Sequence, residues 1–191
     1  MSISTFTELK TAIQSWAHRT DLSSVVEDFI ALAESKFNRQ LRTRRQETAI
    51  SGTPTNYEYT LPTDFASVRK LWRTSDNTVL IQKPIDVVTF NQTGAESTGF
   101  AVTDTFVFDG NSAFAGIYYA KVPALSSNST NWLLTAYPDV YLSAGLAELC
   151  FYTKDPEKAA MWTERTNALI KEINATEQRD KFSGPLRVVA R

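Results

Sequence analysis

The chain of 191 residues has a single cysteine, Cys150, and a single histidine, His18. One cysteine excludes an intrachain disulfide, and a reducing compartment fits that count. One His and one Cys cannot build a zinc site of the usual ligand sets. A Ser-His-Asp triad would have to use His18, and no G-x-S-x-G nucleophile elbow accompanies it. No EF-hand loop, Walker A loop or dinucleotide glycine fingerprint occurs. No apolar run approaches the ~20 residues of a membrane span. Met1-Ser2-Ile3-Ser4 lacks a basic start followed by an apolar run, so no signal peptide is expected. The formal charge of −1 comes with no acidic or basic tail. A general nucleic-acid binder is more often clearly basic, although net charge hides how charge is distributed. The chain therefore reads as soluble and made in the cytoplasm, with no cofactor and no metal expected. Two carboxylates acting on a glycosidic bond stay open, because such residues come from distant parts of a chain.

What is present is a foldable, aromatic-rich chain. Hydrophobic residues make up 42% of it, enough for a real core. Its 11 Phe, 7 Tyr and 4 Trp argue against disorder and exceed what one small core obviously requires. Three zones follow one another. In the first, to about residue 46, Thr5 and Glu8 have capping-box spacing, and Phe6, Leu9, Ile13, Trp16 and Ala17 give one helical face. Asp21 or Ser23 is the expected cap of a second helix, with the stripe Val26, Phe29, Ala33, Phe37 and Leu41. In the second zone, Tyr57, Tyr59 and Leu61 alternate with polar residues as in a half-buried strand. Residues 67–73, 78–82, 100–102, 106–108 and 115–121 also read as strands, and residues 84–90 as a short helix. In the third zone, Pro138 suits a first helical position. Val140, Ala144, Ala147 and Phe151 form a stripe there, and the small Ser143, Ala144 and Gly145 allow close helix approach. Asp155-Pro156 starts a last helix to about residue 179, with Trp162, Thr166, Leu169 and Ile173 on one face. The fold class expected is α+β. An antiparallel helix bundle of residues 1–46 and 124–185 carries a β-rich insert, residues 47–123, and residues 186–191 form a C-terminal arm.

Few of these residues point to chemistry. His18 falls near a helix C-terminus, where a protonated imidazole is stabilised. Cys150 lies among Leu149, Phe151 and Tyr152 and reads as a small buried hydrophobe. Asp104 and Asp109 read as turn acids that can also touch a cation. Two basic groups stand out. Arg39, Arg42, Arg44 and Arg45 cluster near the end of the second helix. They serve either as a solvated face complementing the helix dipole or as contacts to an acidic partner or DNA phosphate. Arg69, Lys70, Trp72 and Arg73 mix basic and aromatic residues, as single-strand stacking platforms do; strand alternation around one buried Trp explains them more simply.

One resemblance covers nearly the whole chain. It is carried by Tyr118-Tyr119-Ala120-Lys121-Val122-Pro123-Ala124-Leu125-Ser126, Asn131-Trp132-Leu133-Leu134 and Tyr137-Pro138-Asp139-Val140-Tyr141-Leu142. It continues in Asp155-Pro156-Glu157-Lys158, Trp162 and Phe182-Ser183-Gly184. Phe6-Thr7-Glu8-Leu9, Phe29-Ile30-Ala31-Leu32-Ala33-Glu34 with Asn38-Arg39, and Leu61-Pro62-Thr63-Asp64-Phe65 agree. In this order the motifs resemble the head-to-tail adaptor proteins of tailed bacteriophages, and the chain is similar in layout to the tubular tail adaptors of short-tailed phages. The likeness is weakest over residues 74–116.

That resemblance implies a non-enzymatic virion protein at the head-tail junction. It implies a twelve-fold ring of identical subunits beneath the portal protein, with a tail or nozzle protein below. Genomic double-stranded DNA would pass through its channel without sequence recognition, and no membrane is involved. A ring needs a heterologous interface and aromatic anchors. Trp132, Tyr137 and Tyr141 are the anchor candidates, although capping of the bundle explains them as well. Arg39, Arg42, Arg44 and Arg45 are further interface candidates. The terminal residues Leu186, Arg187, Val188, Val189 and Arg191 belong to an arm that can add to a neighbour or the portal. The alternatives are a virion-associated carbohydrate hydrolase on the same scaffold, and a DNA-binding module using Arg39 to Arg45.

Overall fold

A computed structural model describes residues 3–92, 94 and 96–181 of the chain. The protein is a mixed α+β structure. It divides into two compact units, one of Met1–Arg45 with Val122–Arg191 and one of Gln46–Lys121.

The helical unit begins as the capping-box spacing predicts. Helix α1, Phe6–Ala17, starts at Thr5, whose hydroxyl accepts the Glu8 N–H, while the Glu8 carboxylate accepts the Thr5 N–H at 3.0 Å. Hydrogen bonds from Ser4 and Thr5 lower the Glu8 pKa to about 2. The helix ends at His18, which takes the left-handed conformation at φ 53°. Helix α2, Val26–Gln40, starts later than the sequence suggests. Neither Asp21 nor Ser23 caps it: its N-cap is Val25, without a side-chain bond, and Asp21 pairs instead with Arg19 at 2.7 Å. The stripe Val26, Phe29, Ala33, Phe37 and Leu41 is buried throughout. A short helix not anticipated from the sequence, α4 (Trp132–Ala136), follows the connecting segment after residue 121, and the Asn131 side chain caps it through the Leu134 N–H. Between α2 and α4 the chain forms the second unit and its helix α3, Ile85–Phe90.

Helix α5, Pro138–Tyr152, carries proline in its first turn as expected, but its buried surface is not a stripe. Residues 140–147 are all buried, whereas Phe151, expected on the apolar stripe, is 58% exposed. Helix α6, Pro156–Lys181, begins where Asp155 accepts the Lys158 N–H at 3.2 Å. Helices α1, α2 and α6 all pack on α5. The small residues admit them: a Cβ on Gly145 would lie 2.5 Å from Ile13 Cδ1, and the Thr166 hydroxyl of α6 donates to Ser143 at 3.2 Å.

The second unit holds two sheets. Strands β1 (Glu47–Gly52), β7 (Phe114–Ala120) and β3 (Phe65–Arg73) form one, in that order and antiparallel. Strands β2 (Glu58–Thr60), β6 (Thr105–Phe108), β5 (Gly99–Val102) and β4 (Ile81–Gln82) form the other, with β4 parallel to β5. Their inner faces share an aromatic core. Phe65 meets Phe106 edge-on at 5.4 Å, Tyr59 meets Phe114 at 5.0 Å, and Phe100 and Phe108 join them. Much of the aromatic surplus is thus accounted for by a second core. Helix α3 covers the other face of the second sheet, with Val88 against Ala101 and Val107. Tyr57 is not part of the strand its alternation suggests. Asn56 and Tyr57 both have positive φ, 52° and 67°, and make a two-residue hairpin turn closed by Thr55 and Glu58.

Valine at position 145 is expected to lower stability by about 1–3 kcal/mol through overpacking. Chemical denaturation followed by circular dichroism checks this. In an Ile13→Ala background the same Gly145→Val change is expected to cost less, since the clashing methyls are gone.

Candidate interaction surfaces

The four arginines of residues 39–45 do not act as one patch. Arg39 is exposed on α2 and donates to the Ser35 hydroxyl at 2.8 Å. Arg42 caps the end of α2: its guanidinium donates to the carbonyls of Asn38 and Leu41, and its backbone N–H donates to Asn174 of α6. Arg44 and Arg45 converge on Glu177, whose side chain is only 3% exposed. The backbone N–H of Arg44 also donates to that carboxylate, at 3.2 Å. Arg44 and Arg45 therefore hold the end of α6, Arg42 the end of α2, and Arg39 faces outward. A carboxylate this buried requires cationic and hydrogen-bonding partners.

The three aromatic candidates also differ in position. Trp132 opens α4 and Tyr137 joins α4 to α5, and both are partly buried against the helical core. Tyr141 has no exposed surface. Its ring meets Phe37 edge-on at 5.0 Å, and its hydroxyl donates to Glu34 and accepts from Asn131 at 2.7 Å. The arm candidates Leu186, Arg187, Val188, Val189 and Arg191 lie outside the described residues.

Tyr141 leads to a residue that sequence reasoning overlooked. Glu34 sits on the apolar face of α2, one turn from Ile30 and Phe37, and is 7% exposed. It accepts the Leu125 N–H at 2.8 Å and the Tyr141 hydroxyl at 3.1 Å. Asn38, one turn on, accepts the Val122 N–H at 2.7 Å. Asn131 donates to the Pro123 carbonyl at 2.7 Å. Residues 122–131 are thus fastened to α2 by two polar side chains, Glu34 and Asn38, and tied internally by Asn131. The signal was available: an acid in register with an apolar stripe has to be buried and bonded. Burial raises the pKa of Glu34, and the two hydrogen bonds only partly oppose it. Burial also pushes the Tyr141 phenol up, with the Glu34 carboxylate adding to the shift.

The remaining candidates are held in local structure. His18 and Cys150 line one pocket of about 360 Å³, with Trp16, Trp162, Asp155 and Lys158 around it. Cys150 is 6% exposed and burial raises its thiol pKa, the reverse of what activates a nucleophile. Of the basic–aromatic group, Arg69 pairs with Glu47, Lys70 lies over the Trp72 ring, and buried Arg73 pairs with Asp76 and Glu96. Asp109 accepts from Thr98, Gly99 and Lys83 and ties the second sheet together. Among the described residues no group of three His, Cys, Asp or Glu side chains is placed to hold a metal ion. No helix among them is long and apolar enough to cross a membrane.

The exposed apolar surface is the more telling feature. In the β unit Ile81, Ile85, Val87 and Phe90 are all exposed, Phe90 by 89%. In the helical unit Trp16, Leu32, Phe151, Tyr152 and Met161 are each more than half exposed.

The family model for the SU10 adaptor protein matches residues 4–189. The chain belongs to the SU10 adaptor protein family. No curated protein matches it at a significant level. The family match agrees with the head-to-tail adaptor resemblance of the sequence and makes the chain a structural adaptor of the bacteriophage type, a component of the virion. As an adaptor it assembles with other phage proteins.

Glu34 offers a sharp test. Its raised pKa means that the neutral form suits the fold better than the charged form. Its stabilising contribution is therefore complete below the unfolded-state pKa and is lost as pH rises through the folded-state value. Glu34→Gln keeps the acceptor and is expected to raise stability at neutral pH and flatten the pH dependence. Glu34→Ala leaves the Leu125 N–H and the Tyr141 hydroxyl without their acceptor and is expected to cost about 2–3 kcal/mol. Urea unfolding at several pH values measures both.

Proposed function

We propose that the chain is a non-catalytic subunit of the ring that joins a phage head to its tail. It docks beneath the portal, extends the channel for genomic double-stranded DNA and presents the surface on which the tail is built. The family match from residue 4 to residue 189 carries this reading. In it, the N- and C-terminal helices form an antiparallel bundle and residues 47–123 an inserted β domain. The insert's exposed Ile81, Ile85, Val87 and Phe90 serve as a docking surface for a second phage protein. Trp132, Tyr137 and outward-facing Arg39 lie at contacts between assembled proteins, and residues 186–191 act as an arm toward the portal.

The buried thiol of Cys150 supports a structural role, since it lacks the environment of a nucleophile. Arg42, Arg44 and Arg45 are committed to helix ends, which weakens the case for a DNA-binding module built on them.

Native mass spectrometry of the full chain, alone and with portal rings, tests the proposal. The expected result is a closed ring of about twelve copies seated on the portal, with the heterologous contact that ring closure demands. A chain that stays monomeric at high concentration and ignores portal rings would overturn it. Removal of residues 186–191 is expected to leave the thermal midpoint unchanged and to weaken portal docking. A lowered midpoint would instead place those residues in the fold.

A further inference from the structure

Helix α6 has two faces. Ala159, Thr166, Ile170 and Ile173 are buried in the helical core. The other side forms an open groove of about 580 Å³, lined by Phe151, Ala160, Thr163, Asn167, Ala168 and Lys171. Its surface is mostly apolar, and small residues make up its floor, so a helix can approach closely there. Thr163 Oγ1 is shielded from solvent and has no hydrogen-bond partner among the described residues. Such a group is costly unless something supplies the bond.

Charge is ordered along this face. Glu157 stands at its start, Glu164 beside its middle and Lys171 at its end. Helix α2 presents an outward face of the same order, acid before base: Asp28, then Leu32 at 55% exposure, then Ser35, then Arg39. These four residues are spaced four, three and four apart and share one side of the helix. Asp28, Arg39, Glu157, Glu164 and Lys171 form no ion pair among the described residues.

We propose that the groove on α6 receives α2 of a second copy of this chain, laid antiparallel. Leu32 sits over Asn167 and Ala168. Four residues away, about 6 Å along the axis, Asp28 then meets Lys171. In the other direction Ser35 comes beside Thr163. Arg39, about 10 Å from Leu32, falls between Glu157 and Glu164. A parallel arrangement would set Arg39 toward Lys171 and Asp28 beside Glu164, pairing like charges, so the charge order selects the antiparallel one. The two faces differ, so the contact is heterologous and repeats around a ring instead of stopping at a dimer. The proposal rests on the ring-subunit reading and names the contact that closes the ring.

The test uses the full chain with Cys150→Ala, Leu32→Cys and Asn167→Cys, assembled on portal rings and mildly oxidised. The expected product is a ladder of covalent oligomers on a denaturing gel, absent when either new cysteine is omitted. Separately, Asp28→Lys or Lys171→Asp alone is expected to raise the concentration for half-assembly about fivefold, and the two together to restore it within about twofold. Rings that form without a cross-link and ignore the charge changes overturn this contact and leave the ring-subunit reading standing. A wild-type chain that never assembles overturns both.

Discussion

Ten of the fifteen residues of α5 are buried, and they lie on every side of the helix. A helix apolar all round has no face to give to water and must be enclosed. The helical unit is arranged around that demand. Helices α1 and α2 come from the N-terminal segment and α6 from the C-terminal one, and all three pack on α5. Gly145 and Ser143 let α1 and α6 come close, at 2.5 Å from a hypothetical Cβ to Ile13 and through the 3.2 Å hydroxyl pair with Thr166. Enclosing α5 is what draws the two ends of the chain into one body while the intervening residues fold separately.

Enclosure leaves polar groups to be satisfied. The segment that returns from the β unit, residues 122–131, runs against the helices and cannot bury bare N–H groups. Glu34 and Asn38 accept two of those N–H groups at 2.7–2.8 Å, and Asn131 donates to the Pro123 carbonyl at 2.7 Å. At the far end of α6, Glu177 receives Arg44 and Arg45. Residues that look like a basic patch in sequence thus serve the joins of the helical unit. What remains outside is Arg39, Leu32 and the groove of α6 in one unit, and exposed Phe90 in the other.

Strong local signals were legible. The Thr5 to Glu8 capping box, the Val26 to Leu41 stripe and the prolines opening α5 and α6 all depend on residues within a few turns of each other. Strand β1, Glu47–Gly52, left no such signal. Its sequence lacks clean alternation, and it exists because it pairs with β7 some seventy residues later. The turn at Asn56 and Tyr57 was hidden by an alternation that continued through it. Among the interface candidates, nothing local distinguished Tyr141, which the core encloses, from Trp132 and Tyr137, which keep a partly exposed side.

By itself the sequence determined the long helices and the apolar stripe of α2, the α+β character, the shortage of groups fit for common catalytic sites, and the adaptor likeness that the family match bears out. These are matters of residue type and short-range spacing. The tertiary structure alone decided which acid would be buried, which arginines would be consumed by helix ends, and where the second aromatic core would form. It also decided which side of α6 would stay uncovered. Each of those depends on what distant segments bring within a few ångströms, and no periodicity within a segment records its neighbours.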